Sequence, residues 1–143
     1  MLGAAYTLPT YLGDVEIDAA VGRQASAALD ILRWRKDHGL LGDVVVLHIG
    51  NNGVFTTAQL NEALQLLAGV PEVAVVNVKV PRQWEGANND AMAQIVPNYP
   101  NAVLVDWHGA SASYSSIFYS DGIHLQPDGA AYYAQLIAAA LGG

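Results

Sequence analysis

The sequence predicts an α/β domain in which helices cover both faces of an open, mostly parallel sheet. Three observations carry that prediction. Two short and almost continuously apolar runs, residues 43–49, interrupted by His48, and residues 73–80, carrying Asn77, have the pattern of strands buried on both faces. Segments of helical periodicity alternate with them, at residues 24–38, 56–68 and 87–96. Such alternation calls for right-handed crossovers, which lay the intervening helices over the sheet. The 143 residues, 52% of them apolar, suit one domain spanning the chain.

Taken in order, residues 1–12 are apolar and rich in small side chains, which predicts one or two helical turns without a capped start. Val15-Glu16-Ile17-Asp18-Ala19 alternates apolar and acidic residues as a half-exposed strand does, and Gly22 follows in a loop. Between Gln24 and His38, Ala28, Leu29, Leu32 and Arg35 recur on neighbouring turns, an amphipathic helix stopped by Gly39. The strand at residues 43–49 runs into the turn Gly50-Asn51-Asn52-Gly53. Thr56 or Thr57 caps a helix reaching about Ala68, and residues 73–80 form a buried strand closed by Pro81. A helix at residues 87–96 and a fourth strand at residues 102–106 come next, then a Ser/Tyr-rich loop at residues 111–120. Pro127 suits the first turn of the last helix, where its missing N–H would have no partner in any case, and the apolar run from Ala130 to Leu141 completes it.

Composition narrows the function. Acids outnumber bases, 13 to 6, for a net charge of −7, and the bases are scattered apart from Arg33-Trp34-Arg35-Lys36, so nucleic acid is not an expected partner. That basic cluster falls late in a helix, where cations complement the terminal partial charge. Without cysteine there is no disulfide framework and no thiolate nucleophile. No apolar run is long enough to span a bilayer, and the N-terminus lacks the pattern of a signal peptide, so a soluble chain is expected. No His/Asp/Glu cluster has zinc spacing and no glycine loop suits phosphate, so neither a metal nor another cofactor is expected.

The chemistry concentrates near the C-terminus, in Asp121-Gly122-Ile123-His124. Three residues apart in a glycine turn, the carboxylate can hold one imidazole nitrogen while the other faces a substrate, which is half of a nucleophilic relay. Gly50 and Asn52 leave a buried strand at what should be the same edge, where backbone can approach a ligand and an amide can donate to a developing oxyanion. Gly22 could add a backbone N–H to that site. His48, inside a strand, reads as a hydrogen-bonded core histidine, and His38 as a helix-end residue. Arg82 and Trp84, just past a strand, are candidates for the substrate mouth, and Trp107 and His108 share the position.

These residues resemble the SGNH hydrolase family. Gly22 in Val-Gly-Arg-Gln matches its glycine block, Asn52 in His-Ile-Gly-Asn-Asn-Gly its asparagine block, and Asp121 with His124 its Asp-x-x-His block. The closer likeness is to the extracytoplasmic domains fused to membrane acyltransferases that O-acetylate peptidoglycan and other glycans, which residues 17–24 and 80–85 resemble. Asn51 departs from that subgroup, where Thr is more usual. The resemblance implies a three-layer, flavodoxin-like fold and acyl transfer on an acetyl ester, of a glycan or a small molecule. In it, a serine attacks, His124 takes its proton, Asp121 fixes the imidazole, and Asn52 with the Gly22 N–H holds the oxyanion. It also implies an extracytoplasmic setting and fusion to a membrane acyltransferase.

One block is not in these residues. The family's Gly-Asp-Ser block, which holds the nucleophile, does not occur, and Met1-Leu2-Gly3-Ala4 looks like what ordinarily follows that serine. The expectation is therefore a domain whose first, central strand is missing with its nucleophile, feeble or inert as an esterase by itself. The resulting gap should close either by direct pairing of the strands on its two sides or through a second copy in a homodimer. A noncatalytic glycan-binding module is the rival reading.

Overall fold

The apolar runs pair side by side. The structure, a computed structural model describing residues 2–142, contains β1 (Val44–Leu47), β2 (Glu72–Val76) and β3 (Ala102–Val105), all parallel and in the order β1-β2-β3. Met1, part of the first predicted helical segment, lies outside the described residues. The register sets Val45 opposite Val73, and Val73 opposite Ala102. Around this sheet lie six helices among the described residues: α1 (Leu8–Leu12), α2 (Ala25–Asp37), α3 (Thr57–Leu66), α4 (Glu85–Ile95), α5 (Trp107–Ser111) and α6 (Pro127–Ala140).

The alternation of side chains along a strand explains the three layers. On β2, Val73 and Val75 enter one core with Leu29 and Leu32 of α2, Leu60 and Leu64 of α3 and Met92 of α4. Its Ala74 and Val76 enter the other, with Leu8 of α1 and Tyr133, Ala134 and Ile137 of α6. β2 is therefore covered on both faces, as its unbroken apolar sequence requires. Thr56 is the residue that caps α3: its hydroxyl accepts from Gln59 N at 3.1 Å while Gln59 Oε1 accepts from Thr56 N at 2.9 Å, a reciprocal capping box.

Three expectations are corrected. Residues 15–19 are not a strand but an irregular segment, so the sheet has three strands among the described residues, with residues 102–105 as the third. Their alternation reflects ion pairing instead: Glu16 and Asp18 meet Arg35 of α2, Asp18 also meets Arg23 at 2.7 Å, and Ile17 packs on the second core. The second buried strand ends at Val76, not Val80, because side chains take over the pairing. Asn89 donates to the Val78 carbonyl at 2.9 Å and accepts from Val78 N at 2.8 Å, and Val80 N donates to Glu85. Finally, direct pairing across the expected gap does not occur: among the described residues β1 is bonded to β2 alone, and residues 15–19 do not pair with it.

The start of α6 is tightly constrained. A Cβ built on Gly129 would lie 2.2 Å from the Ile117 carbonyl oxygen, a backbone atom that has no easy escape. Gly129→Ala should therefore cost about 2 kcal/mol or more, as overpacking does, whereas Gly69→Ala, whose Cβ meets nothing within 4 Å, should stay within about 0.5 kcal/mol. Urea denaturation of both variants checks the contrast.

Candidate active site

The segment between α5 and α6 folds back on itself as a clip. Phe118 and Leu125 form an antiparallel bridge, Tyr119 N donates to the His124 carbonyl at 2.8 Å, and Gln126, on the second arm, is bonded twice to the first. Its N donates to the Ile117 carbonyl at 2.9 Å and its Nε2 to the Phe118 carbonyl at 3.0 Å. The clip reverses at Gly122, whose φ of +68° is the left-handed conformation that glycine adopts without a Cβ penalty. Asp121 sits in that turn. One carboxylate oxygen accepts from Ile123 N at 2.8 Å and His124 N at 3.0 Å, and the other accepts from His124 Nδ1 at 2.6 Å.

These bonds stabilise the ionised carboxylate. The His124 side-chain bond, followed by the two backbone bonds, holds the Asp121 carboxyl down at about 2. His124 is exposed, and its Nε2 has no hydrogen-bond partner among the described residues. An imidazole tied at Nδ1 and open at Nε2 can accept a proton at Nε2.

The other predicted residues approach the same place. Gly22, with φ of +70°, and Asn52 lie on loops joined by Gln24, whose Nε2 donates to the Asn52 carbonyl at 2.8 Å and the Gly22 carbonyl at 3.3 Å. Asn52 Nδ2 donates to the Arg23 carbonyl at 3.2 Å. From the far side the 50–53 turn is clasped by Asn88 of α4, which is 1% exposed and donates to the carbonyls of Gly50 and Gly53, each at 3.0 Å. Gly50 must be glycine because a Cβ there would come within 2.8 Å of both the Asn88 amide and the Phe55 ring. Gly22, Asn52 and His124 all line one trough of about 810 Å³ that runs along the free edge of β1.

His48, on the residue after β1, also borders this trough and is a core histidine as expected. Its Nε2 accepts from Asn51 Nδ2 at 2.9 Å and its Nδ1 donates to Tyr133 Oη at 2.7 Å. Burial pushes its pKa down to about 3, so the ring is neutral and serves as a structural bridge from the Asn51 turn to α6. His38 closes α2, and its ring stacks on Trp34.

The proposed mouth residues fall elsewhere. Trp84 is half-buried at the start of α4, packed against the first core with its Nε1 buried and unpartnered, and Arg82 donates to the neighbouring Pro81 carbonyl. Neither borders the trough. Trp107 is buried in the second core, edge-on to Tyr133 at 5.2 Å, while His108 Nε2 lies 3.0 Å from Glu85. Asn77 and Asp106 tie these strand ends together: Asn77 Nδ2 donates to Asp106 at 2.7 Å, and His108 N donates to Asn77 Oδ1 at 2.7 Å. Sequence reasoning missed Gln24, Asn88 and Gln126. Asn88 had one available signal, a polar side chain on the helical face shared by Met92 and Ile95.

The Asp121 geometry has a pH consequence. A carboxyl depressed in the folded state contributes order that is complete above its ordinary value near 3.8 and is lost as pH falls through about 2. Carbon-detected NMR should give an Asp121 midpoint near 2, moving up towards the ordinary value in His124→Ala.

No family profile matches the chain. Curated relatives do. Over 125 residues it is 38% identical to the O-acetyltransferase OatA of Staphylococcus aureus, covering 87% of this chain and 21% of that protein. Over 128 residues it is 33% identical to the peptidoglycan O-acetyltransferase OatA of Listeria monocytogenes, covering 90% of this chain and 20% of that protein. The chain thus spans about a fifth of the length of these relatives. Its fold superposes on the C-terminal catalytic domain of peptidoglycan O-acetyltransferase A from Streptococcus pneumoniae, solved with a methylsulfonyl adduct, with a TM-score of 0.87 at 21% identity, over 99% of this chain and 87% of that one. By sequence the chain is homologous to one segment of these O-acetyltransferases, and it shares the fold of the streptococcal domain.

Proposed function

We propose that this domain carries the acyl-transfer half of a glycan O-acetyltransferase or esterase, with Asp121 and His124 as its relay and Asn52 and the Gly22 N–H as its oxyanion donors. The observation that carries the reading is the 2.6 Å bond from His124 Nδ1 to Asp121, with Nε2 left open at the trough bordered by Asn52 and Gly22. In this scheme a serine hydroxyl attacks the ester carbonyl and its proton passes to His124 Nε2. Asp121, already ionised, stabilises the imidazolium, which then protonates the departing alkoxide. Water or a glycan hydroxyl takes the acyl group in the second half, so one geometry serves both hydrolysis and transfer.

Asn52 donates to the Arg23 carbonyl, a bond this scheme has it exchange for the oxyanion. Removing one such donor typically costs about 2.7–4 kcal/mol of barrier. No serine among the described residues borders the trough, and Ser111 is buried and donates to the Trp107 carbonyl, so this reading takes its attacking serine from outside these residues. The relatives' greater length fits a setting in which the domain is one part of a membrane-anchored acyltransferase and works outside the cytoplasm on acetylated glycan.

The test joins a strand ending in Gly-Asp-Ser ahead of Leu2 and follows hydrolysis of a chromogenic acetate ester. The extended chain should turn over ester at least about 10³-fold faster than the 143-residue chain and lose that gain in His124→Ala, as relays do. Equal activity of the two chains, or indifference to His124, would remove the proposed roles.

A further inference from the structure

Three of the six basic side chains are half-buried. Arg23 and Arg35 are each paired with carboxylates, whereas the third, Lys79, makes no ion pair and no side-chain hydrogen bond among the described residues. Its backbone is nonetheless held on both sides, with Val78 tied to Asn89 and Val80 N donating to Glu85 at 2.5 Å. A partly desolvated ammonium without an acceptor is costly, so a side chain presented in this way calls for a polar partner from outside the chain.

Lys79 stands where two cavities meet. It borders the trough that holds His124 and also a second cleft, of about 440 Å³. The clip divides the two: residues 123–125 of its second arm border the trough, whereas residues 118–120 of its first arm, with Gly122, border the cleft. Their chemistry differs. The trough is walled largely by apolar side chains, among them Ala28 and Leu32 of α2 and Leu8 and Leu12 of α1, which offer a sugar no hydrogen bonds. The cleft carries the hydroxyls of Ser115, Tyr119 and Ser120, none with a partner among the described residues, together with Lys79 and Glu85. Glu85 accepts from Val80 N and lies 3.0 Å from His108 Nε2, and its carboxylate keeps further lone pairs for a ligand. Tyr119 is 54% exposed and offers an apolar ring face beside those hydroxyls.

We propose that this cleft is a subsite for a neutral sugar residue, the neighbour of the ester-bearing residue along a glycan, with Lys79 bonding it at the junction and Tyr119 as its aromatic wall. Mixed donors and acceptors match sugar hydroxyls, which both donate and accept, whereas an anion would meet the charge of Glu85. One clip positions both parts of such a substrate. Tyr119 N donates to the His124 carbonyl at 2.8 Å and the Tyr119 carbonyl accepts from Gly122 N at 2.9 Å, so the cleft wall and the relay share a single turn. A Cβ on Gly122 would lie 3.8 Å from Pro81, which sets that turn against the segment carrying Lys79. The choice of a glycan rests on the acyl-transfer reading, but the binding test does not use the relay.

The probe is the β-1,4-linked tetramer of N-acetylglucosamine, titrated into the ¹⁵N-labelled 143-residue chain and compared with the free monosaccharide. Amide shifts should concentrate at Lys79, Ser115, Tyr119 and Ser120, and the tetramer should bind about tenfold more tightly than the monosaccharide. Lys79→Met, which keeps the apolar stem, and Tyr119→Ala should each weaken it about five- to tenfold, the loss of one charged hydrogen bond or one aromatic contact. Arg82→Ala, which removes a cation outside both cavities, should leave the affinity unchanged. Full affinity in both cleft variants, shifts confined to residues 44–49 along the trough, or no shifts up to the solubility limit of the tetramer would overturn the subsite. So would inorganic phosphate displacing the tetramer from Lys79. Tetramer binding through Lys79 and Tyr119 keeps the subsite even where the serine-extended chain shows no His124-dependent ester turnover, the result that removes the acyl-transfer reading. Such turnover without tetramer binding in the cleft does the reverse.

Discussion

Parallel pairing of β1, β2 and β3 is the constraint on which the rest of the structure depends. Because the three strands end at one edge, the turn after β1, the asparagine-rich exit of β2 and the capped start of α5 all emerge there, and the Asp121 clip reaches that edge with Gly122 beside Pro81. The helical layers decide the other dimension. They cover β2 fully but overhang β1, so the candidate site opens onto a trough along the edge of β1 that has no strand partner among the described residues.

Side-chain amides hold that edge where backbone pairing gives out. Asn89 completes the pairing of Val78, Asn77 joins the ends of β2 and β3, Asn88 gathers the carbonyls of Gly50 and Gly53, and Gln126 closes the base of the clip. Buried carbonyls left without such donors would each cost about 1–3 kcal/mol. The arrangement makes these loops well defined without regular structure. It explains how an exposed pair such as Asp121 and His124 keeps a 2.6 Å bond: the backbone beneath it has few alternatives.

The parts of this fold legible in the sequence were the local ones. Helical periodicity placed α2 and the capped start of α3 to within about two residues, the usual boundary error, and the spacing of Asp121 and His124 was readable because both lie in one turn. Residues 15–19 misled because period-2 alternation has two causes, a pleated strand or acids reaching to arginines, and only tertiary structure separates them. Trp84 misled for a related reason. An aromatic near a strand end can face a ligand or the core, and here the core took it. The clasp by Asn88 spans more than 30 residues of sequence, so no local pattern announces it.

The proposed relay makes His124 a proton acceptor at Nε2, with its Nδ1 bonded to Asp121 at 2.6 Å. The most direct test is the tautomer of that ring, read from its ring-nitrogen chemical shifts by long-range ¹H–¹⁵N NMR at a pH where the imidazole is neutral. The account predicts a proton on Nδ1 and a bare Nε2, with the preference lost in Asp121→Ala. A neutral ring protonated at Nε2, or a tautomer mixture indifferent to Asp121, would contradict it.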